Sequence, residues 1–326
     1  MVTKSIKSKL LVLLGPTSTG KTDIALQLAK KFNGELVACD SRQVYKDLDI
    51  GTGKLPGSGC IISKGDGWWE MNGIKVWMYD VIKPTRQYTV FNYIKDASRV
   101  VDDIIVRGKL PMLTAGTGLY LKALLEGLPN LAVPIDLRLR KNLEKLSLNE
   151  LQKKLQKISP QKWERLNSSD RQNPRRLLRA IEIGTNVVTN DVTKGLTLAA
   201  DILKIGLTAP REVLYQRIDE RVVERIEQGM IEEAGRLHKA GLTLARMRQL
   251  GLEYRIMADY LEDKIQGSGN LIKILQGKIH GYARRQMTWF KREKDVFWFD
   301  ITDSSFSSKV ENLVAKWYYL ADGTQN

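Results

Sequence analysis

Cysteine is nearly absent from this chain: Cys39 and Cys60 are the whole supply, and they form no C-x-x-C pair. Neither a disulfide framework nor a zinc site is supported on that count, and a reducing, cytoplasmic setting fits best. Long apolar runs are missing as well. The run Leu10 to Leu14 is shorter than a signal-peptide core and leads straight into a glycine-rich loop. Nothing approaches the roughly 18 apolar residues of a membrane span, so no membrane partner is expected. There is no internal repeat and no low-complexity tract. Acidic residues are in deficit, with 37 Asp and Glu against 52 Lys and Arg, a net charge of +15. That balance favours a polyanionic partner over a neutral metabolite, and nucleic acid comes first. A chain of 326 residues accommodates one sizeable core and a smaller subdomain.

What is present alternates between strand and helix patterns. LLVLL (10–14) ends in the glycine loop, and Ile24, Ala25, Leu28, Ala29 and Phe32 then recur at helical spacing until Gly34. ELVACD (35–40) is a second short strand that ends on a carboxylate. A third unit opens at Thr89 with an amphipathic helix closed by Gly108 and followed by the strand LPMLTAG. Such alternation implies a parallel sheet covered on both faces. Between these units, Asn72-Gly73 separates two apolar runs and predicts a hairpin, read with the glycine-rich tract before it as a surface loop and ribbon.

Composition then shifts. Residues 138–182 hold 13 Lys and Arg against five Asp and Glu, with helical periodicity. We therefore expect a first part of the core over 1–125, a basic helical insertion over 126–191, and a second part of the core over 192–326. In that last part ILKIGLT (202–208) reads as a strand and about 211–240 as one long helix. A last helix around 271–293 and the strand VFWFD close the sheet.

Chemistry concentrates at four places. Gly15, Pro16, Thr17, Ser18, Thr19, Gly20, Lys21 and Thr22 fit G-x-x-x-x-G-K-[ST] between a strand and a helix. The backbone N–H groups of such a loop close around an anion, the lysine neutralises phosphate, and Thr22 offers an oxygen to Mg²⁺. The motif alone does not choose between ATP and another diphosphate. Asp40-Ser41-Arg42-Gln43 follows the second strand, at the sheet edge where ligands of open α/β folds bind. A carboxylate there can take a proton from a nucleophile or hold a metal-bound water, and a plain turn is the alternative. Gly116-Thr117-Gly118 is another strand-to-helix turn, from which Thr117 can reach a phosphate. Arg217 and Arg221 stand i and i+4 on one helix face, as an anion fork or as a solvated face. Near the C-terminus, Tyr282, Trp289 and Phe290 interleave with basic residues, a pattern suited to phosphate contact with base stacking or to an ordinary half-buried helix.

Read together, GPTSTGKT (15–22), DSRQVYKDLDIGTGK (40–54), GTGLYLKALLEG (116–127), NPRRLLRAIEI (173–183), YQRIDERV (215–222) and ARRQMTWF (283–290) resemble the tRNA dimethylallyltransferase family, over nearly the whole chain. The resemblance implies a P-loop NTPase-like, kinase-like α/β core with a helical insertion. It also implies transfer of a dimethylallyl group from dimethylallyl diphosphate to the N6 amine of the adenosine 3′ to the anticodon, in tRNAs reading codons that begin with U. Mg²⁺ is the implied cofactor, and the tRNA anticodon stem-loop the implied partner. Asp40 matches the family's general base, and Thr117 and Arg217 the groups that stabilise the diphosphate. Ser41, Arg42 and Gln43 match the segment that holds the flipped nucleotide. Pro174, Arg175, Arg176, Leu177 and Leu178, together with Arg248, Gln249, Leu250, Gly251, Leu252 and Glu253, match segments that touch the anticodon stem-loop, and Arg138 a further contact. Departures are Val76 and Trp77 where members carry a His-His pair before Asp80, Ala115 for a glycine, Leu252 for a tyrosine, and a longer tract from Gly51 to Trp69. The zinc-finger tail of eukaryotic members is not in the sequence, which implies a bacterial-type enzyme, with a monomer as the default state.

Two other readings compete. A P-loop kinase or nucleotide hydrolase acting on a small molecule would share the loop and the strand-end aspartate, but does not account for the charge or the motif series. An RNA-binding protein without catalysis predicts damage at Asp40, Thr117 or Arg217, and all three stand.

Overall fold

A computed structural model of the chain describes residues 8–56, 59–131, 133, 135–185 and 200–320. The chain divides into two compact units, one of Met1–Leu125 with Leu196–Asn326 and one of Glu126–Gly195.

The larger unit is built on one sheet. Its strands are β1 (Ser8–Leu14), β2 (Gly34–Cys39), β3 (Ile62–Gly65), β4 (Trp68–Met71), β5 (Ile74–Trp77), β6 (Leu110–Ala115), β7 (Ala200–Thr208) and β8 (Val296–Asp300). Their order is β3-β4-β5-β2-β6-β1-β7-β8, parallel from β5 through β8 and antiparallel within the β3-β4-β5 ribbon. The central strands read as unbroken apolar runs because both faces are covered, and Leu10 to Leu14 are at most 1% exposed. Each such leucine contributes about 1.5–3 kcal/mol by leaving water.

Helices α1 (Lys21–Lys31), α2 (Val90–Val106) and α3 (Gly118–Glu126) follow the first strands. Thr89 and Asn92 cap α2 reciprocally, which explains the sharp start seen in the sequence. The smaller unit contains α4 (Leu137–Leu143), α5 (Leu148–Ile158), α6 (Pro160–Arg165), α7 (Ser168–Arg171) and α8 (Pro174–Thr185) around a core of its own that includes Leu143, Leu151, Leu155 and Ile181. The chain then supplies β7, α9 (Arg211–Glu227), α10 (Met230–Lys239), α11 (Leu244–Met247), α12 (Leu252–Leu261), α13 (Ser268–Phe290), β8 and α14 (Phe306–Tyr319).

Three expectations change here. The ribbon turns at Asn72 and Gly73, both with positive φ, as the dipeptide predicts. It is no surface appendage, however: β5 pairs with β2, and Trp69 and Met71 are fully buried, so the ribbon extends the core sheet. The long helix expected over 211–240 is two helices, broken where Gly229 takes φ 93° and starts α10. Helix α13 is not the last, because α14 follows β8, and Lys9 Nζ on β1 donates to the carbonyls of Trp317, Tyr318 and Leu320 at its end. Among the described residues no helix is long and apolar enough to cross a membrane.

Candidate active site

The carboxyl ends of β1, β2 and β6 open onto one cleft of about 880 Å³. β1 delivers the glycine loop. Gly15 has φ 145°, and a Cβ on it would fall 2.4 Å from the Leu207 carbonyl oxygen, so only glycine lets the loop leave the strand here. The Thr19 hydroxyl (2.9 Å) and Lys21 Nζ (2.7 Å) both donate to the Pro16 carbonyl, closing the loop on itself. Burial, with the Arg221 guanidinium adding to it, lowers the Lys21 ammonium to about 7, against a smaller opposing pull from Asp40. The Thr17 N–H donates to the Gln286 side chain at 2.9 Å, so this donor of the loop is already engaged.

β2 delivers Asp40 one residue past its end, and β6 delivers Thr117. One oxygen of Asp40 accepts the Arg42 N–H at 2.8 Å, and the Thr117 hydroxyl approaches the other at 3.4 Å. Thr117 also accepts the Ser41 N–H at 3.2 Å, so the two turns hold each other. Gly116 makes this possible, since a Cβ there would stand 2.5 Å from the Asp40 carboxylate. Arg42 reaches the Gln249 carbonyl at 3.3 Å, and Gln43 spans toward the carbonyls of Thr52 and Gly53 at 3.4 and 3.5 Å.

Helix α9 lines the facing side with Arg217, Arg221 and Arg225, spaced four residues apart on one face. Arg217 is exposed, whereas Arg225 is buried and stands 4.0 Å from Glu253. The neighbouring Arg225 charge, with burial, lowers Arg221 to about 9. Burial raises the Glu253 carboxyl above its ordinary range. These cations crowd one another in a partly desolvated space, an arrangement that an incoming polyanion relaxes. Thr22, Asp23 and Asp40 bring hydroxyl and carboxylate oxygens to the same cleft. Among the described residues no cluster of three metal-ligating side chains stands ready to cage an ion.

Gly251, Leu252 and Glu253 line the cleft, while Leu250 is fully buried. Arg248 is engaged by Asp259 at 3.0 Å and by Glu262. In the smaller unit Arg138, Pro174, Arg175 and Arg176 are exposed, but the Leu177 and Leu178 side chains pack into that unit's own core.

Two features had escaped the sequence reading. Lys54, 1% exposed, donates to the Tyr45 carbonyl at 2.7 Å and to Asp49 at 2.9 Å, and pairs with Asp80, which also takes Trp69 Nε1 at 2.6 Å. This buried pair fixes the segment behind Gln43. The other is Gln286 on α13, buried in the apolar stripe Leu271, Leu275, Ile279, Ala283, Phe290. An amide on such a stripe needs partners, and that was the available signal.

Against known proteins, the model of the family described as IPP transferase matches residues 43–293, and that of isopentenyl transferase matches 8–58. A "tRNA dimethylallyltransferase 2" of Treponema denticola is 40% identical, over 88% of this chain and 93% of its own. A tRNA dimethylallyltransferase of Bacillus mycoides is 35% identical, over 93% of each chain. The crystal structure of a tRNA isopentenylpyrophosphate transferase from Bacillus halodurans superposes with a TM-score of 0.68 at 33% identity, covering 96% of this chain and 97% of that one.

Proposed function

This chain belongs to the IPP transferase family, and we propose that it transfers a dimethylallyl group from dimethylallyl diphosphate to the N6 amine of the adenosine 3′ to the anticodon, in tRNAs that read codons beginning with U, releasing diphosphate. The observation that carries this reading is the Asp40–Thr117 pair set into the same cleft as a phosphate loop with Lys21 and the arginines of α9.

The exocyclic amine is a weak nucleophile. As the bond from N6 to the first prenyl carbon forms, Asp40 accepts the N6 proton, and the carbon–oxygen bond breaks with its electron pair leaving on diphosphate. The Thr117 hydroxyl orients the carboxylate and faces the donor. The departing charge meets the loop N–H groups, Lys21 and Arg217, whose interaction strengthens as the charge develops. No phosphoryl group moves. Magnesium fits the hard oxygens of the cleft: Thr22 would hold it together with the phosphate oxygens, and it would supply further charge neutralisation. The adenine must leave its stack to reach Asp40, and Ser41, Arg42 and Gln43 are proposed to receive it. In the helical unit Arg138 and Arg175 supply exposed positive charge for the tRNA backbone, and Arg176 is exposed but paired with Asp170. A cytoplasmic monomer is the proposed working form.

The test is incubation with dimethylallyl diphosphate and unmodified tRNA, followed by mass analysis of nucleosides. One C5 unit on adenosine is expected. Unchanged adenosine with ATP hydrolysed instead reverses the reading in favour of a nucleotide hydrolase.

A further inference from the structure

Strands β1 and β6 are neighbours, paired as far as Leu14 with Ala115. Beyond that register the ladder ends: one chain turns into the phosphate loop and α1, the other into the Gly116–Thr117 turn and α3. The leaving-group cradle and the Asp40–Thr117 pair thus sit on two diverging loops, and among the described residues no backbone hydrogen bond joins them. One side chain does. Gln286 Oε1 accepts the Thr17 N–H at 2.9 Å, and Gln286 Nε2 donates to the Gly116 carbonyl at 2.7 Å. Gln286 is 7% exposed, so its amide is largely withdrawn from water, where a lost partner is costly. The Tyr282 hydroxyl, one turn earlier on α13, approaches the same carbonyl at 3.4 Å. From Gly116 the connection continues through Gly116 N–H and Thr117 N–H, which both donate to the Cys39 carbonyl at 3.1 and 3.0 Å, to the residue that precedes Asp40.

A carboxamide suits this position because its two ends act at once, one accepting from an N–H and the other donating to a C=O. It works as an added rung beyond the end of the ladder. It also occupies the Thr17 N–H, one of the donors of the phosphate loop.

We propose that Gln286 is a positioning residue of the transfer reaction, fixing the separation between the diphosphate cradle and the Asp40–Thr117 pair. The proposal rests on the prenyl-transfer reading above. Its consequence is kinetic: a shift of about 1 Å between reacting groups costs on the order of 100-fold in rate, with little change in binding of either substrate alone.

The experiment compares the full-length chain with Gln286→Leu, which removes both contacts, and Gln286→Glu, which keeps size and the acceptor toward Thr17 but loses the donor toward Gly116. Steady-state transfer to unmodified tRNA, calorimetric binding of inorganic diphosphate and thermal melting are measured on each. Expected is a fall in kcat of roughly 30- to 100-fold for both variants, with diphosphate affinity and the KM for tRNA within about threefold of the parent. A loss that only tracks the folded fraction, or variants that turn over at the parental rate, overturns the proposal. Should Gln286→Leu fail to fold, the same criteria apply to Gln286→Glu, whose volume and Thr17 contact are preserved. If the parent chain itself transfers no prenyl group, the underlying reading fails instead, and the two failures are distinguishable.

Discussion

Glu35 and Asp40 stand near the two ends of one buried stretch of chain, β2 and the residue after it, and their surroundings are opposite. Glu35 is 2% exposed and fully engaged: Arg107 grips it with two hydrogen bonds of 2.7 Å, and Lys109 Nζ and Trp77 Nε1 each donate at 2.7 Å. Burial pushes its carboxyl up, but those donors outweigh it and hold the group at about 2. Asp40, at the carboxyl end, has one backbone N–H and one distant hydroxyl, and opens onto the cleft. A carboxylate whose lone pairs are all taken can only hold structure. One left under-engaged at the sheet edge can still take a proton.

The sharpest way to break this contrast is Asp40→Asn, which keeps the acceptor for the Arg42 N–H and removes the base. A fall in kcat of about 10²- to 10⁴-fold is expected, with tRNA affinity by filter binding little changed. Parental turnover in this variant would remove Asp40 from its role.

A smaller effect concerns the cation across the cleft. In the free protein Lys21 loses its proton as pH rises through about 7, and bound diphosphate favours the charged form, so donor binding takes up a proton above that pH. Affinity therefore weakens as pH rises from 7 to 9, by up to about tenfold per unit. Calorimetry in two buffers of different ionisation heat measures the uptake at pH 8. Lys21→Arg, which stays charged throughout, should lose that component, and equal uptake in both proteins would assign it elsewhere.

The mildest change is expected at the other end of the strand. Glu35→Gln should leave kcat per folded molecule unchanged while lowering stability by about 1–3 kcal/mol at neutral pH. The sign follows from the depressed carboxyl. Its contribution is fully present above the unfolded value of 4.5 and is lost as pH falls toward about 2, so the gap in melting temperature between parent and variant should close over that range. A gap that does not shrink between pH 4.5 and 2.5 would mean that packing, not charge, explains it.

Much of the larger unit was legible because its signals are local. The glycine loop, the strand-end position of Asp40 and the Asn72-Gly73 turn each depend on a few adjacent residues whose backbone demands are specific. What stayed hidden depends on partners far away in sequence. Trp69 reads as part of a surface ribbon until β5 is seen beside β2, and the apolar spacing over 211–240 runs through Gly229 without showing that the helix breaks there. Leu177 and Leu178 sit inside a basic motif, yet their burial is set by α5, with which no motif connects them. Gln286 is the extreme case. Its two partners are 269 and 170 residues away, so no window of sequence contains the contact.

The strand order carries a consequence for synthesis on the ribosome. β1 is the first strand made, but its two neighbours are β6, which begins at Leu110, and β7, which begins at Ala200. At about 5–20 residues per second, the second neighbour emerges roughly 10–40 s after β1. For that interval the leucines of the nascent sheet have no complete surface to cover them. Helices α4 to α8, all of them made before β7, can condense meanwhile. The Gln286 contact to the Thr17 N–H is therefore a late event, and chaperone dependence during translation should be concentrated in the first 200 residues.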